Sequence, residues 1–528
     1  MNRKIRQLAG ALIVLYVVLF AALNYWQVNR TEELASEPGN TRALIRQFDT
    51  PRGPIVTADG VVAARSVQAP GNSDVEYIRT YPTGDLLAHI TGYYTFGLGA
   101  TQLEQTKSGL LSGDTFTQQV RALDDIFSRN NDNSGELRLT VREDMQAVAK
   151  FLLGPREGSV VLMEVETGAV TAMWSYPSFD PNLVADTDYQ AAFDYVTELQ
   201  EDERDPLLAN AYQQRYMPGS TFKVLTTGAA LDAGVISLES FWEPAREFVP
   251  PQTDDPIENY GGSICGGDLS EVFRRSCNIP FAQTALALGA DGFQDGIARW
   301  GVGEEIPIDM PRAAASTIGD FDDIEQRLPL LAISGFGQSD VQMVPIHMAM
   351  VAAAVANDGE MMRPFVVDAE LDHDGRVIDR TQPEVWQRPI SRQTAGILQD
   401  LMVGVAVDGT ASCCIGLDNG ISVAAKTGTA QLNGPGEPER SHAWIVAYAP
   451  VEQPKYAVAV MLQGTNAEIS AGTGGRLAGP IAKAMLDAVF AIDPPAPADA
   501  GTEPAEPTDA GTTDETTDDT TGGTVADG

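Results

Sequence analysis

Tyr216-Met217-Pro218-Gly219-Ser220-Thr221-Phe222-Lys223 runs directly into Val224-Leu225-Thr226-Thr227-Gly228-Ala229-Ala230-Leu231. Pro218 and Gly219 read as a turn, and the Ala, Leu and Thr beyond Lys223 read as a helix buried in a core. Ser220 then sits at the first turn. Lys223, three residues on, shares its helical face one turn away, where the amine can reach the serine hydroxyl. A free serine is a poor nucleophile, but a buried lysine has its pKa drawn down and can act as the base that activates it. The pair points to acyl transfer. Alone it says little, because Ser-x-x-Lys arises by chance in most long chains and usually marks a solvated helix face.

Two further stretches change that. Arg275-Ser276-Cys277-Asn278 supplies a Ser-x-Asn between helical patterns at 269–275 and 281–288, short enough to present both polar side chains to one cleft. For the tripeptide alone, an ordinary helix cap by Ser or Asn is the competing reading. Ala425-Lys426-Thr427-Gly428-Thr429-Ala430 supplies a Lys-Thr-Gly in a core-strand pattern from 421 to 430, with 442–450 as its antiparallel partner across a Gly/Pro loop. In this order the three motifs resemble those of penicillin-binding proteins and serine β-lactamases.

The resemblance implies an α/β (α+β) transpeptidase fold, an antiparallel sheet flanked by helices. It implies a D,D-transpeptidase that cross-links peptidoglycan stem peptides and binds β-lactams covalently. Ser220 would attack the penultimate D-alanyl carbonyl, Lys223 take its proton, and Ser276 relay a proton to the departing amine. Asn278 would orient the donor peptide and Lys223. Lys426 and Thr427 would bind the terminal carboxylate on the Lys426-Thr427-Gly428-Thr429 strand, with the backbone N–H groups of Ser220 and Thr429 holding the oxyanion. As an edge strand, that segment could take up an extended peptide by main-chain pairing. An amine from a neighbouring strand would then resolve the acyl-enzyme.

The rest of the chain fits around this centre. At 528 residues, two or three folded units are expected. A formal charge of −38, from 73 acidic and 35 basic residues, argues against nucleic acid as a partner and reads as a solvated acidic surface. Arg3, Lys4 and Arg6 precede an aliphatic run with Tyr25 and Trp26 at its end. Residues 1–7 read as cytoplasmic and 8–28 as an uncleaved transmembrane anchor, since no clear small-x-small cleavage site follows. The catalytic part then lies outside the membrane, where cysteines can oxidise.

Residues 29–134 show turns, short strands and an amphipathic helix. Thr50-Pro51-Arg52-Gly53, the run from Arg79 to Gly92, and a loosely matching Gly99-Ala100-Thr101-Gln102-Leu103-Glu104 resemble the small N-terminal non-catalytic module of class B members, a pedestal near the membrane. The catalytic domain is placed at 135–492. It enters through a strand at 137–141, a helix at 142–153 and a hairpin at 158–175 turning at Glu166-Thr167-Gly168. Residues 250–267 read as a loop. Pro345 opens and Gly359 closes an Ala-rich helix that matches the family, and His347 on it reads as a packing or capping histidine. Residues 493–528 lack Lys, Arg and aromatics and read as a disordered acidic tail. Within the family the chain is most similar to actinobacterial type-A class B members of cell division.

Other classes remain to be weighed. A D,D-carboxypeptidase or a serine β-lactamase would release the acyl group to water; the anchor and module count against the latter, and no motif supplies a deacylating glutamate. A non-catalytic division scaffold is weakened by the intact motifs, and a β-lactam sensor by the missing multi-helix transducer. About a hundred residues between anchor and catalytic domain are too few for a second enzyme, so strand polymerisation would fall to a membrane glycosyltransferase partner. Metal and nucleotide motifs are absent, and no cofactor is expected.

Four cysteines, Cys265, Cys277, Cys413 and Cys414, allow three complete pairings. Cys277, between Ser276 and Asn278, should point away from the cleft they face, and Cys265 is close in sequence, so Cys265–Cys277 is the first choice. The alternatives are that Cys277 is a small buried residue, and that Cys413 and Cys414 form a vicinal pair or stay reduced.

Overall fold

The computed structural model describes residues 2–25, 48–71, 75–115, 133–320, 327–433 and 440–495. Trp26 and the tail beyond Pro495 lie outside them. The apolar N-terminal run is a helix, Asn2–Asn24, whose Arg3–Ala22 portion is long and apolar enough to cross a membrane.

Among the described residues, the larger sheet-and-helix part of the chain is built on a five-stranded antiparallel sheet in the order Ala424–Gln431, Ser441–Ala449, Tyr456–Leu462, Gly158–Glu164, Val170–Tyr176. Every residue of Ser441–Ala449 and Tyr456–Leu462 is buried, so these strands read as continuous apolar runs and need cover on both faces. Pro345–Ala356, buried along its whole length, packs against the three inner strands. Glu143–Leu153 and Gly479–Ile492 pack against each other and the sheet. Gly158–Glu164 and Val170–Tyr176 form the hairpin that the turn signal predicts. The antiparallel sheet flanked by helices implied by the motifs is the fold observed. His347 is a packing residue, its Nδ1 2.8 Å from Ser316 Oγ and its Nε2 2.7 Å from the Trp300 carbonyl.

A second, six-stranded sheet joins strands of the N-terminal segment to strands from past residue 360. Its order is Val377–Arg380, Val367–Leu371, Glu136–Leu139, Ile55–Val56, Val62–Gln68, Tyr77–Thr80. Strands from late in the chain therefore complete a sheet begun by the N-terminal segment, and Lys107 is fastened to Glu370 at 2.7 Å. Beside this sheet Glu104, fully buried, accepts from Arg52 Nε at 2.7 Å and Arg79 Nε at 2.6 Å.

Sequence and structure part at 250–267. The segment read as loop carries two short strands, Ile257–Glu258 against Glu247–Phe248 and Cys265–Asp268 against Phe241–Ala245. Gly, Asp and Pro mask them, because the pairing is cross-strand and leaves no local alternation.

Candidate active site

The stretch around Ser220 begins differently from an α-helix. Gly219–Phe222 is a 3₁₀ turn that feeds the α-helix Lys223–Asp232. The tighter turn brings positions three apart into near eclipse, so Ser220 and Lys223 project the same way. Gly219 has φ +54°, and a Cβ there would come 2.5 Å from the Thr429 carbonyl oxygen. Glycine thus lets the serine turn lie directly against the Ala424–Gln431 strand. From the other side a Cβ on Gly428 would meet the Pro218 carbonyl at 2.6 Å. The Trp444 indole N–H donates to the Met217 carbonyl at 3.0 Å, tying the turn to the adjacent strand. Ala424–Gln431 is the edge strand of its sheet, as expected.

The Ser-x-Asn tripeptide is a junction between two helices. Leu269–Arg274 ends with Ser276 N–H donating to Phe273 O and Cys277 N–H to Val272 O, the bond pattern of a left-handed C-terminal cap. Ser276 occupies the left-handed position, φ +59°, where glycine or asparagine is usual. That conformation swings its hydroxyl between the two lysines. Asn278 then opens Ile279–Ala298. Cys277 faces away and is bonded to Cys265, and Cys413 is bonded to Cys414.

The polar atoms converge. Lys223 Nζ donates to Ser276 O at 2.8 Å and to Asn278 Oδ1 at 3.0 Å, with Ser276 Oγ at 3.4 Å. Lys426 Nζ donates to Ser276 Oγ at 2.9 Å and to the Thr427 carbonyl at 2.9 Å. The direct Lys223–Ser220 hydrogen bond anticipated from the spacing is not formed; the amine is drawn instead toward the Ser-x-Asn junction. Ser220 itself is half-buried.

Both lysines are fully buried, and among the described residues no carboxylate pairs with either. Phe281 and Phe336 line Lys223, with ring centroids 5.2 and 6.0 Å from Nζ, and Phe273 lies 5.7 Å from Lys426 Nζ. Burial, reinforced by the charge of Lys426, holds the Lys223 amine well below the ordinary lysine range. Burial brings Lys426 down to about 7. The buried histidines are poor bases by comparison: burial lowers His89, His347 and His442 to about 4. The chemistry this arrangement supports is proton abstraction by a neutral amine beside a second amine able to carry a proton.

Residues not singled out by the sequence also build the site. Thr410 Oγ1 lies 2.6 Å from Thr427 Oγ1, across the turn after Arg392–Asp408. Asn259 Oδ1 accepts from the main-chain N–H groups of Asn278 at 2.9 Å and Ile279 at 3.2 Å. No local pattern announces either residue, since both act across long loops. An Asn at the end of a short strand is the faint signal that was available.

The family model for the penicillin binding protein transpeptidase domain matches residues 158–487, and that for the penicillin binding protein A dimerisation domain matches 52–137. The peptidoglycan D,D-transpeptidase PbpA of Mycolicibacterium smegmatis is 37% identical over 499 residues, covering 93% of this chain and 99% of the relative. Its Mycobacterium tuberculosis counterpart is 34% identical over 505 residues, covering 94% and 100%. The ceftriaxone acyl-enzyme complex of M. tuberculosis penicillin-binding protein A superposes with a TM-score of 0.78 at 32% identity, covering 84% of this chain and 99% of that one. The penicillin G acyl-enzyme complex of the same protein gives 0.75 at 33% identity, covering 84% and 100%.

Proposed function

The chain belongs to the penicillin-binding protein transpeptidase family and is a serine-type peptidoglycan D,D-transpeptidase, and on that premise we propose how its own residues divide the work. Ser220 Oγ attacks the penultimate D-alanyl carbonyl of a stem peptide while neutral Lys223 takes its proton. The carbonyl oxygen becomes an oxyanion held by the backbone N–H groups of Ser220 and Thr429. Collapse of the tetrahedral intermediate breaks the amide bond, and D-alanine leaves with a proton passed from Lys223 through Ser276 Oγ. A neighbouring strand's amine then attacks the acyl carbonyl and gives its proton through Ser276 Oγ to Lys223. The ester bond to Ser220 breaks, Lys223 returns the proton to Ser220 Oγ, and the new amide is the cross-link.

Two buried amines this close do not both stay charged at neutral pH, because each penalises the other's cation and burial penalises both. The one under the stronger depression, Lys223, serves as base. Lys426, still able to hold a proton near pH 7, binds the terminal carboxylate together with Thr427, whose hydroxyl Thr410 orients. Asn278 holds the Lys223 amine and the donor peptide. The observation that carries this reading is the meeting of both lysines at one hydroxyl, that of Ser276.

The basic residues Arg3, Lys4 and Arg6 place the N-terminus inside, so that Asn2–Asn24 anchors an enzyme working on the outer face of the membrane, where both disulfides are stable. Residues 29–134 act as a pedestal, 135–492 as the catalytic domain and 493–528 as an acidic tail. A separate membrane glycosyltransferase supplies the glycan strands, and the work is done at division, as the type-A resemblance implies.

Mass spectrometry of the full-length chain in detergent after exposure to penicillin tests the core of this reading. A stable adduct on the Ser220 peptide is expected, with D-alanine release and cross-linked product from a stem-peptide donor and acceptor. Rapid loss of the adduct with turnover would make the chain a hydrolase. An adduct on a residue other than Ser220, or none, overturns the assignment.

A further inference from the structure

The helix Ile279–Ala298 begins with a cap it does not provide. Its second residue, Pro280, has no N–H, and Phe281 N–H turns back to the Asn278 carbonyl at 3.1 Å. The donors left over are the main-chain N–H groups of Asn278 and Ile279. An asparagine at such a position ordinarily folds its carboxamide back onto the first turn. Asn278 does not: its Oδ1 accepts from Lys223 Nζ at 3.0 Å and its Nδ2 donates to the Glu258 carbonyl at 3.0 Å.

Both leftover N–H groups are taken by Oδ1 of Asn259. Asn259 is 3% exposed, and its Nδ2 donates to the Ala245 carbonyl at 2.9 Å and the Ser263 carbonyl at 3.1 Å. Two donors on one side and two carbonyls on the other dictate the orientation of the amide and use its whole hydrogen-bonding capacity. The hairpin segment that carries Asn259 is fixed to the same junction by the Cys265–Cys277 bond and by Arg275 Nη2 donating to the Ile264 carbonyl at 3.0 Å.

We propose that Asn259 is a positioning residue for the reaction: from the neighbouring hairpin it holds the main chain of Asn278 and Ile279 and so fixes the backbone from which the Asn278 carboxamide reaches the Lys223 amine. Without Asn259, the main-chain N–H groups of Asn278 and Ile279 lose their shared acceptor, the backbone there shifts, and Lys223 loses its hold on Asn278 Oδ1. This rests on the reading that Ser220 is acylated with Lys223 as base.

A double-mutant cycle tests it, with the full-length chain in detergent and a fluorescent penicillin as probe. Asn259→Ala should slow acylation by about tenfold or more and displace the acidic limb of the pH–rate profile, because the environment of Lys223 changes. In the Asn278→Ala background the same change should alter the rate by no more than about twofold, since the group it positions is gone. Asn259→Asp, which keeps the acceptor oxygen but loses both donors to the Ala245 and Ser263 carbonyls, should recover only part of the rate. Should Asn259→Ala fail to fold, Asn259→Ser takes its place in the cycle. Equal slowing in both backgrounds, with no displacement of the profile, overturns the proposal and leaves Asn259 a scaffold residue. Labelling absent from the wild-type chain would instead remove the acyl-enzyme reading beneath it.

Discussion

The Ser276 hydroxyl accepts from Lys426 Nζ at 2.9 Å while lying 3.4 Å from Lys223 Nζ, so one oxygen bridges two buried amines. The bridge exists because Ser276 adopts a left-handed backbone conformation at the end of one helix, immediately before the next begins. Fixing a non-glycine residue there costs about 1–2 kcal/mol. The junction is over-determined by a disulfide, a helix cap and four hydrogen bonds from lysine amines, which is how such strain persists at working sites.

Lys223→Met keeps the volume of the buried side chain and removes the proton acceptor. Acylation by a fluorescent penicillin should fall by about a hundredfold or more, the usual loss when a general base is deleted. The folded-state pKa of Lys223 is depressed by burial. Relative to the unfolded chain, its contribution to stability is therefore unfavourable at neutral pH and fades as pH rises toward about 10, where an ordinary lysine deprotonates. The variant should match or exceed the wild type in Tm at pH 7, with its advantage shrinking by pH 10. Near wild-type acylation would overturn the role of base.

Lys426 should set the alkaline limit. With its pKa at about 7, the amine is cationic below that pH and neutral above it. The second-order rate of acylation by a penicillin, which carries a carboxylate, should decline above about pH 7, because this parameter reports the free enzyme. Lys426→Arg, charged throughout the accessible range, should show no such decline even if its plateau is lower. A wild-type profile flat from pH 7 to 9 would remove the charge-binding role.

The parts of the fold legible in the sequence are those whose signals are local. The Gly158–Glu164 and Val170–Tyr176 hairpin is bounded by Glu166-Thr167-Gly168, and Pro345 and Gly359 bracket an Ala-rich helix. Two of the three motifs lie where a helix begins or ends, and the third lies on the edge strand beside them. What escaped is long-range. The pairing of Val367–Leu371 with Glu136–Leu139 leaves no trace in either stretch. Asn259 gains its meaning only when Asn278 is beside it. Ser220 and Lys223 have the spacing of a hydrogen-bonded pair, but the pull of Ser276 and Asn278 on the amine could not be read from four residues. Nothing in the stretch around Arg79 announces that Glu104 stands between it and Arg52.

That buried triad gives a prediction remote from the chemistry. Glu104 is fully buried and shared by two guanidinium groups, and Arg52 Nη2 also donates to the Glu104 carbonyl at 2.5 Å. Glu104→Ala would strand two buried cations, and breaking such a cluster costs about 3–5 kcal/mol. Urea unfolding should show that loss, while the acylation rate of the protein still folded stays unchanged. A variant as stable as the wild type would mean that water reaches the arginines and the cluster is not a structural node.

The disulfide beside the site makes the last prediction. Cys265 and Cys277 are separated by 12 positions, and closing a loop of that size restricts the unfolded chain by about 3 kcal/mol. Cys277 also follows the left-handed Ser276 and precedes Asn278, so the bond holds the backbone at the point where both side chains are aimed. The double variant Cys265→Ala, Cys277→Ala should lose stability on that scale and also acylate more slowly, because Ser276 can relax toward ordinary backbone angles and leave the lysines. The Cys413–Cys414 bond, on a different loop, should be indifferent to the change. Non-reducing peptide mapping of the wild-type chain should recover a peptide joining Cys265 to Cys277. Alkylation of both thiols without reductant would rule the brace out, and a variant that loses stability yet acylates at the wild-type rate would reduce it to a staple with no part in aiming Ser276.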